Sequence, residues 1–186
     1  MPILPIIQPN NPVLRKKAFK VPDSIFNDDK FQQLIDDMIE TLLEAQGVGL
    51  AAPQIEQSMR LIIVRLPDTT EEDREEYGEL AGKTFVVANP KIIKNSREMV
   101  AGVEGCLSMP GLLGEVDRHE MVVVTGKDRH GKDFRIKAKG WLARVFQHEI
   151  DHLDGVLFID RTDKVWQPSE EDLVEVETDE TATEDA

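Results

Sequence analysis

The pentapeptide His148-Glu149-Ile150-Asp151-His152 decides how the rest of the chain is interpreted. On a helix, residues four apart lie on the same face, so His148 and His152 can offer two imidazoles to one metal ion, with Glu149 beside them. This pattern is typical of hydrolytic metal sites, in which a third protein ligand completes the donor set. The sequence therefore predicts a metal-dependent hydrolase built around this helix.

The third ligand distinguishes between classes of metal enzyme. One common arrangement places a third histidine six residues after the second, but that position holds Phe158, which cannot bind a metal. A glutamate from a second, downstream helix is compatible with the spacing and stays open. The only cysteine of the chain, Cys106, offers a thiolate, which is a better metal ligand than the other candidates.

The composition indicates one globular domain whose charge lies mainly in two segments. A chain of 186 residues with 40% hydrophobic residues can bury one core, and no apolar run approaches the roughly 20 residues of a membrane span. The net charge of −14 comes from seven acids and one base in 68–79 and nine acids and no base in 167–186. We expect a catalytic domain over 1–166, with an acidic loop at 68–82, and a disordered acidic tail over 167–186. A single cysteine excludes an internal disulfide and fits the cytoplasm.

Hydrophobic periodicity predicts an α+β fold. An amphipathic helix is expected over 28–45, where apolar residues recur at helical spacing. A central helix that carries the HExxH pattern is expected over 141–154, buried on most sides. Antiparallel strands should pack around it, at 60–66, 84–88, 91–94, 122–127, 134–139 and 157–159. Residues 109–114 are predicted to form an apolar loop.

The glycine-rich stretch Gly47-Val48-Gly49-Leu50-Ala51-Ala52-Pro53-Gln54 allows two interpretations. It matches the dinucleotide-binding pattern G-x-G-x-x-A, but that pattern must follow a strand and open a helix. This stretch instead follows a helix and runs into Pro53. The better interpretation is a loop whose glycines let the backbone approach a ligand closely.

Three separated motifs therefore occur in one chain: the Gly47 to Gln54 stretch, Glu104-Gly105-Cys106-Leu107-Ser108, and His148-Glu149-x-x-His152. In this order and at these separations they resemble the peptide deformylases, over roughly residues 6–161. The resemblance implies hydrolytic removal of the N-formyl group from the terminal formyl-methionine of newly synthesised polypeptides, with release of formate. It implies formyl-methionyl nascent peptides as partners, with transient proximity to the ribosome. The acidic tail should repel RNA, so direct nucleic-acid binding is not expected, nor is a membrane.

The resemblance also implies roles for individual residues. The family's metal ligands correspond to Cys106, His148 and His152, and its general acid/base corresponds to Glu149. The groups that stabilise the oxyanion correspond to Gln54 and the backbone N–H of Leu107, and the groups that hydrogen-bond the substrate peptide correspond to Val48 and Gly49. One divalent ion per chain is implied, with Fe²⁺ as the working ion, while Zn²⁺, Ni²⁺ or Co²⁺ is compatible with the same ligands.

The substrate pocket is predicted less directly. Trp141 and Val145 precede His148 on the same helix and are expected to form the pocket wall. Many relatives carry an arginine near position 113, where this chain has a leucine, so we hypothesise that Leu112 or Leu113 contributes to the methionine pocket or its rim.

Two further expectations complete the analysis. Glu104 is expected to pair with a buried or cleft-lining arginine, with Arg118 as the candidate. Two other functions stay open, namely a metallopeptidase with a different third ligand and a metal-stabilised binding domain without catalysis. Cys106→Ala separates the first from a deformylase, and Glu149→Ala separates the second.

Overall fold

The computed structural model describes residues 2–68 and 70–168 of the chain. Within these residues the α-helices are α1 (Asp29–Glu44), α2 (Glu71–Tyr77) and α3 (Gly140–Leu153). The strands are β1 (Gly49–Ala51), β2 (Leu61–Arg65), β3 (Thr84–Asn95), β4 (Met99–Cys106), β5 (Met109–His119), β6 (Met121–Lys127), β7 (Asp133–Lys139) and β8 (Val165–Trp166). Short 3₁₀ turns lie at Pro12–Arg15, Asp23–Ile25, Ala52–Ile55, Gly78–Leu80 and Phe158–Asp160.

Two antiparallel sheets surround α3. The larger sheet has the strand order β1-β2-β3-β6-β7, and the smaller has the order β4-β5-β8. Side chains alternate along β2, so that Ile62 and Val64 pack with α3 while Leu61 and Ile63 pack with α1. The large sheet is therefore covered on both faces by helices. The predicted α+β class, with antiparallel sheets and two main helices, is confirmed, and the HExxH pattern lies on α3.

Both predicted helices are present with nearly the expected ends. The side chain of Asp28 caps α1 by accepting hydrogen bonds from the backbone N–H groups of Lys30 and Phe31. α1 covers Asp29–Glu44 where 28–45 was predicted, and α3 covers Gly140–Leu153 where 141–154 was predicted. The strands predicted at 122–127 and 134–139 are also present as β6 and β7, and they form a hairpin whose turn contains Gly131 with a φ of +77°.

The segment 109–114, predicted as an apolar loop, is instead the first half of β5. β5 pairs with β4 from Met99↔His119 to Cys106↔Met109, with a register shift after Gly105. Leu107 and Ser108 form the tight turn between the two strands, so pairing resumes immediately at Met109. Proline and glycine are typical of turns, so Pro110 and Gly111 favoured a loop in the prediction. The strand nevertheless continues through both residues and accommodates Gly111 at a φ of +72°.

The acidic segment 68–82, predicted as a solvated loop, contains α2 and the turn Gly78–Leu80. Glutamate is a good helix former, and no glycine or proline interrupts Glu71–Tyr77. Tyr77 and Leu80 pack against the core that includes α3. The packing of these two partly buried side chains therefore fixes the position of the acidic segment, which its charge alone did not predict.

Two strand predictions also needed correction. Residues 91–94 are not a separate strand but the end of β3, which continues through an irregularity between Ala88 and Lys91. Asn89 adopts a φ of +53° there. Residues 157–159 were predicted as a strand, but Phe158–Asp160 is a 3₁₀ turn, because the Asp160 carboxylate accepts a hydrogen bond of 2.8 Å from the Leu157 N–H.

The predicted acidic tail lies, from residue 169 onward, outside the described residues. Residues 167 and 168 belong to no helix or strand. In the described ranges, no helix combines the length and the apolar character that crossing a membrane would require.

Candidate active site

A cleft of about 300 Å³ opens between α3, the end of β4 and the segment that joins α1 to β1. Its walls come from 46–49, from 104–107, and from the α3 side chains Trp141, Arg144, Val145, His148 and Glu149. The three motifs identified in the sequence therefore meet at one place.

The two histidines and the cysteine converge in this cleft. The rings of His148 and His152 lie on one face of α3, with centroids 5.0 Å apart. The Cys106 Sγ lies 3.3 Å from the His152 Nε2. One candidate ligand atom from each of the three residues lies within 4.8 Å of the other two. A divalent ion with bonds of about 2.0–2.3 Å to nitrogen and sulfur fits among donor atoms at this separation.

Glu104 fixes the orientation of the first histidine. The His148 Nδ1 donates a hydrogen bond of 2.8 Å to the Glu104 Oε2, which leaves Nε2 available as a ligand atom. Arg118 donates to both oxygens of the same carboxylate, at 2.8 Å and 3.0 Å. The expected pairing of Glu104 with Arg118 is confirmed. Burial opposes the charge of Glu104, but hydrogen bonds from Arg118 and His148 outweigh it and lower its pKa to about 2.

The protonation of the histidines differs. Burial lowers the pKa of His152 well below its ordinary value, so this imidazole is neutral, as a metal ligand must be. Burial acts in the same direction on His148, but hydrogen bonds with Cys106 and Glu104 raise its pKa to about 10. A metal ion at His148 therefore competes with a proton.

Glu149 lies beside the histidines, against the backbone of β1. Its side chain is buried, and burial raises its pKa to about 7, although the charge of His148 acts in the opposite direction. The Oε2 of Glu149 has no hydrogen-bond partner among the described residues. Gly49 makes this position possible, because a Cβ there would lie 2.2 Å from the Glu149 Oε1.

The side chain of Gln54 lies beside Cys106. The stretch 47–54, predicted as a loop, contains β1, which pairs with β2, and the 3₁₀ turn Ala52–Ile55. In this turn the Gln54 Oε1 accepts a hydrogen bond of 2.8 Å from the Ala51 N–H. The Gln54 Nε2 then lies 3.5 Å from the Cys106 Sγ and 3.4 Å from the Ser108 Oγ. A neutral amide donor thus lies next to the convergence point of the three candidate ligands.

Comparison with known proteins agrees with this arrangement. The sequence model of the polypeptide deformylase family matches residues 3–167. A peptide deformylase of Dehalococcoides mccartyi is 46% identical over 179 residues, 96% of this chain and 95% of that protein. One of Thermus thermophilus is 46% identical over 165 residues, 87% of this chain and 83% of that protein.

A solved structure shows the same similarity in three dimensions. The class I type b peptide deformylase of Acinetobacter baumannii, in a structure with Met-Ala-Ser bound, has a TM-score of 0.78 and 38% identity. The match covers 87% of this chain and 99% of that one. The chain belongs to the peptide deformylase family. It is therefore a metal-dependent hydrolase that removes the N-formyl group from newly synthesised polypeptides.

The substrate residues predicted from the sequence divide into two groups. Val48, Gly49, Trp141 and Val145 line the cleft. Leu112 and Leu113 are not among its lining residues in the described part of the chain. They follow one another on a strand, so their side chains point to opposite faces. Leu112 packs with the buried cluster that contains Leu14, Met109, Val116, Leu157 and Phe158. Leu113 packs over Gly105, where a Cβ would lie 3.2 Å from its Cδ2.

Sequence analysis missed several charged residues around this deformylase site. Arg144 donates a hydrogen bond of 2.9 Å to the Glu104 Oε1 and lines the cleft. Asp151 accepts hydrogen bonds from Arg118 at 2.6 Å and from Arg161 at 2.5 Å. The available signal was that Arg144 and Asp151 are charged residues within a helix expected to be buried, since such residues require partners.

Proposed function

We propose that Cys106, His148 and His152 hold the divalent ion and that Glu149 carries out the proton transfers of deformylation. The observation that carries the proposal is the convergence of three donor atoms with a buried carboxylate in one cleft. A thiolate and two imidazoles match the donor sets of catalytic sites, which keep room for water beside three protein ligands. A divalent ion held by these residues would supply Lewis-acid activation of that water.

Glu149 accepts the proton of the attacking water and returns it to the leaving amine. A carboxylate with a pKa of about 7 can do both near neutral pH, because its two protonation states are similar in free energy. Its Oε2, without another partner among the described residues, is available for that proton.

Gln54 and the backbone N–H of Leu107 stabilise the negative charge that develops on the formyl oxygen. The hydrogen bond from the Ala51 N–H orients the Gln54 amide before any substrate binds, so its Nε2 remains available on the side of Cys106. Neutral donors that are already in place lose little free energy to reorganisation during the reaction. The loss of one such donor typically costs about 100- to 1,000-fold in rate.

The substrate lies in the cleft with its methionine side chain against Trp141 and Val145 and its backbone against Val48 and Gly49. The Met-Ala-Ser bound to the Acinetobacter baumannii enzyme is a peptide that begins with methionine, which supports this placement. We assign Fe²⁺ as the working ion and the cytoplasm as the location. Residues 1–166 form the catalytic unit.

The test is deformylation of formyl-Met-Ala by protein prepared without oxygen, with formate release and metal content measured together. We expect one divalent ion per chain and formate release, both lost in His148→Ala. His130→Ala is the matched control, because His130 lies exposed in the β6–β7 turn. Absence of formate from the anaerobic protein would contradict the proposal. A metallopeptidase with another third ligand would release no formate and would keep its metal and its peptidase activity in Cys106→Ala, whereas metal binding without any catalysis would favour a binding domain.

A further inference from the structure

Arg144 of α3 lies against β4, which pairs with β5 in the three-stranded sheet. Its Nη2 donates a hydrogen bond of 2.7 Å to the Val100 carbonyl, and its Nη1 donates one of 3.3 Å to the Gly102 carbonyl. One side chain of α3 therefore hydrogen-bonds two backbone carbonyls of β4.

The same guanidinium connects several parts of the hairpin. Nη1 also donates to the Glu104 Oε1 at 2.9 Å and to the Val116 carbonyl of β5 at 2.8 Å. Arg144 is only 7% exposed, so these hydrogen bonds are shielded from water. Bonds of this kind to a charged group are stronger than neutral ones.

Gly102 creates the space in which the guanidinium lies. A Cβ at this position would lie 2.7 Å from the Arg144 Nη2, 2.8 Å from its Cζ and 2.9 Å from its Nε. The contact between the planar guanidinium and the strand therefore requires bare backbone. Any side chain at position 102 would push Arg144 off β4.

Arg144 on α3 and its partner Glu104 on β4 each lie a few residues before a candidate metal ligand. On α3, Arg144 lies one turn before His148, and on β4, Glu104 lies two residues before Cys106. Glu104 accepts hydrogen bonds from both Arg144 and His148. A shift of β4 relative to α3 would therefore change the separation between Cys106 and His148 directly.

Other contacts hold β5, not β4, to the helix. Gln147 bonds the backbone of His119 through two hydrogen bonds, at 3.1 Å and 2.9 Å, and Asp151 pairs with Arg118. In the described part of the chain, the hydrogen bonds between α3 and β4 come from Arg144, from His148, and from His152, whose Nε2 lies 3.3 Å from the Cys106 Sγ. Without Arg144, the direct hydrogen bonds between β4 and α3 in this part of the chain would be those of Glu104 and Cys106 with the two histidines, at the end of the strand.

We propose that Arg144 is a positioning residue, which clamps β4 to α3 and thereby sets the separation between Cys106 and His148. This inference rests on the proposed ligand roles of those two residues. Removal of a residue that orients metal ligands typically weakens metal binding by about 10- to 100-fold. We expect a change of that size when the clamp is removed.

The test uses the full chain loaded with Co²⁺, whose thiolate charge-transfer absorption reports on the bond to Cys106. Arg144→Met removes the hydrogen bonds at nearly constant length, and Arg144→Lys retains a charge that can make some of them. Gly102→Ala displaces the guanidinium while leaving Arg144 in the sequence. Arg135→Met is the matched control, because Arg135 is exposed on β7. Transfer of Co²⁺ to a chelator is followed at a temperature where circular dichroism shows every variant folded.

We expect Arg144→Met and Gly102→Ala to transfer Co²⁺ about 10- to 100-fold faster than the parent, with a weaker charge-transfer band. Arg144→Lys should recover part of the difference, and Arg135→Met should match the parent. A folded Arg144→Met with the parent's transfer rate and spectrum would overturn the inference, even if its thermal stability were lower. If Arg144→Met does not fold, Gly102→Ala decides on the same criteria. Failure of both to fold would also overturn it, since Arg144 would then be required for folding itself.

Metal transfer is measured without substrate, which separates the two proposals. A parent that binds Co²⁺ but releases no formate would contradict the proposed catalytic roles and leave the positioning result valid. A parent that binds no Co²⁺ would overturn both.

Discussion

Gly49→Ala tests the geometry of Glu149 more directly than replacement of Glu149 itself. The Glu149 carboxylate lies against the bare backbone of Gly49 at the start of β1. A Cβ at Gly49 would lie 2.2 Å from the Glu149 Oε1, 2.7 Å from its Cδ and 2.9 Å from its Cγ. Non-bonded heavy atoms prefer separations of about 3.5–4.0 Å, so the carboxylate would have to move by about 1 Å or more.

The expected magnitude follows from that displacement. Glu149 is 3% exposed, so its carboxylate cannot move into bulk water to relieve the contact. A misplacement of about 1 Å in a catalytic group can cost about 100-fold in rate, or about 2.7 kcal/mol in activation free energy. We expect kcat for formyl-Met-Ala to fall about 100-fold in Gly49→Ala. Metal content should stay the same, because Glu149 is not one of the proposed ligands.

The assay is steady-state formate release by Gly49→Ala, Glu149→Ala and the double variant, with metal analysis of each. If the methyl group acts through Glu149, it should cost little more once Glu149 is absent. Gly47→Ala is the comparison in the same segment, because its Cβ would meet the flexible ends of Leu42 and Leu107 at 2.7 Å and 2.9 Å. A kcat within threefold of the parent, or an equal loss in the Glu149→Ala background, would refute the reasoning.

Further predictions concern stability and the metal. Asp28→Ala should lower the free energy of unfolding by about 1 kcal/mol, because it removes the cap of α1; an unchanged urea midpoint would contradict this. Phe146→Ala should cost about 3–5 kcal/mol in the same assay, since Phe146 is fully buried, and a loss below 1 kcal/mol would argue against its place in the core. Glu104→Ala should cost about 3–5 kcal/mol because it leaves the buried Arg118 and Arg144 without their shared carboxylate; parent-like stability and activity would exclude that role. Treatment with 1,10-phenanthroline should abolish formate release, with recovery after anaerobic addition of Fe²⁺, and activity that persists after complete metal removal would contradict metal dependence.

The parts of the fold that were predictable depend on local periodicity. α1 and α3 have apolar residues at helical spacing, and Asp28 caps α1 as a helix N-terminus requires. In the β6–β7 hairpin, a β-branched run and a strand in which Phe134, Ile136 and Ala138 alternate with polar residues are separated by a turn with glycine at positive φ. In each case the pattern is repeated within one segment, so tertiary contacts reinforce it and do not override it.

The parts that were missed depend on contacts between distant segments. The charge of 68–82 indicated a loop, but α2 is followed by Leu80, which packs on the core together with Tyr77. Pro110 and Gly111 indicated a turn, but pairing with β4 extends β5 through both. On this strand the adjacent side chains of Leu112 and Leu113 point to opposite faces, which a loop assignment could not predict.

The site residues likewise divide into those that a local pattern predicted and those that depend on contacts between distant segments. The candidate ligands were predicted because their chemistry and spacing are specific. Arg144, by contrast, makes most of its hydrogen bonds to backbone carbonyls, which every residue has, so no sequence pattern indicates them. α3 packs its apolar side against the large sheet and turns Arg144, Gln147, His148 and Asp151 toward the hairpin. Those positions recur at helical spacing and so form one polar face. The hydrophobic effect is non-directional, but hydrogen bonds to a planar guanidinium and a carboxylate fix both distance and angle. The candidate cysteine ligand comes from the hairpin and the two histidines come from α3, so directional hydrogen bonds are needed to fix the distance between them. This need explains why charged residues are buried beside the candidate metal centre.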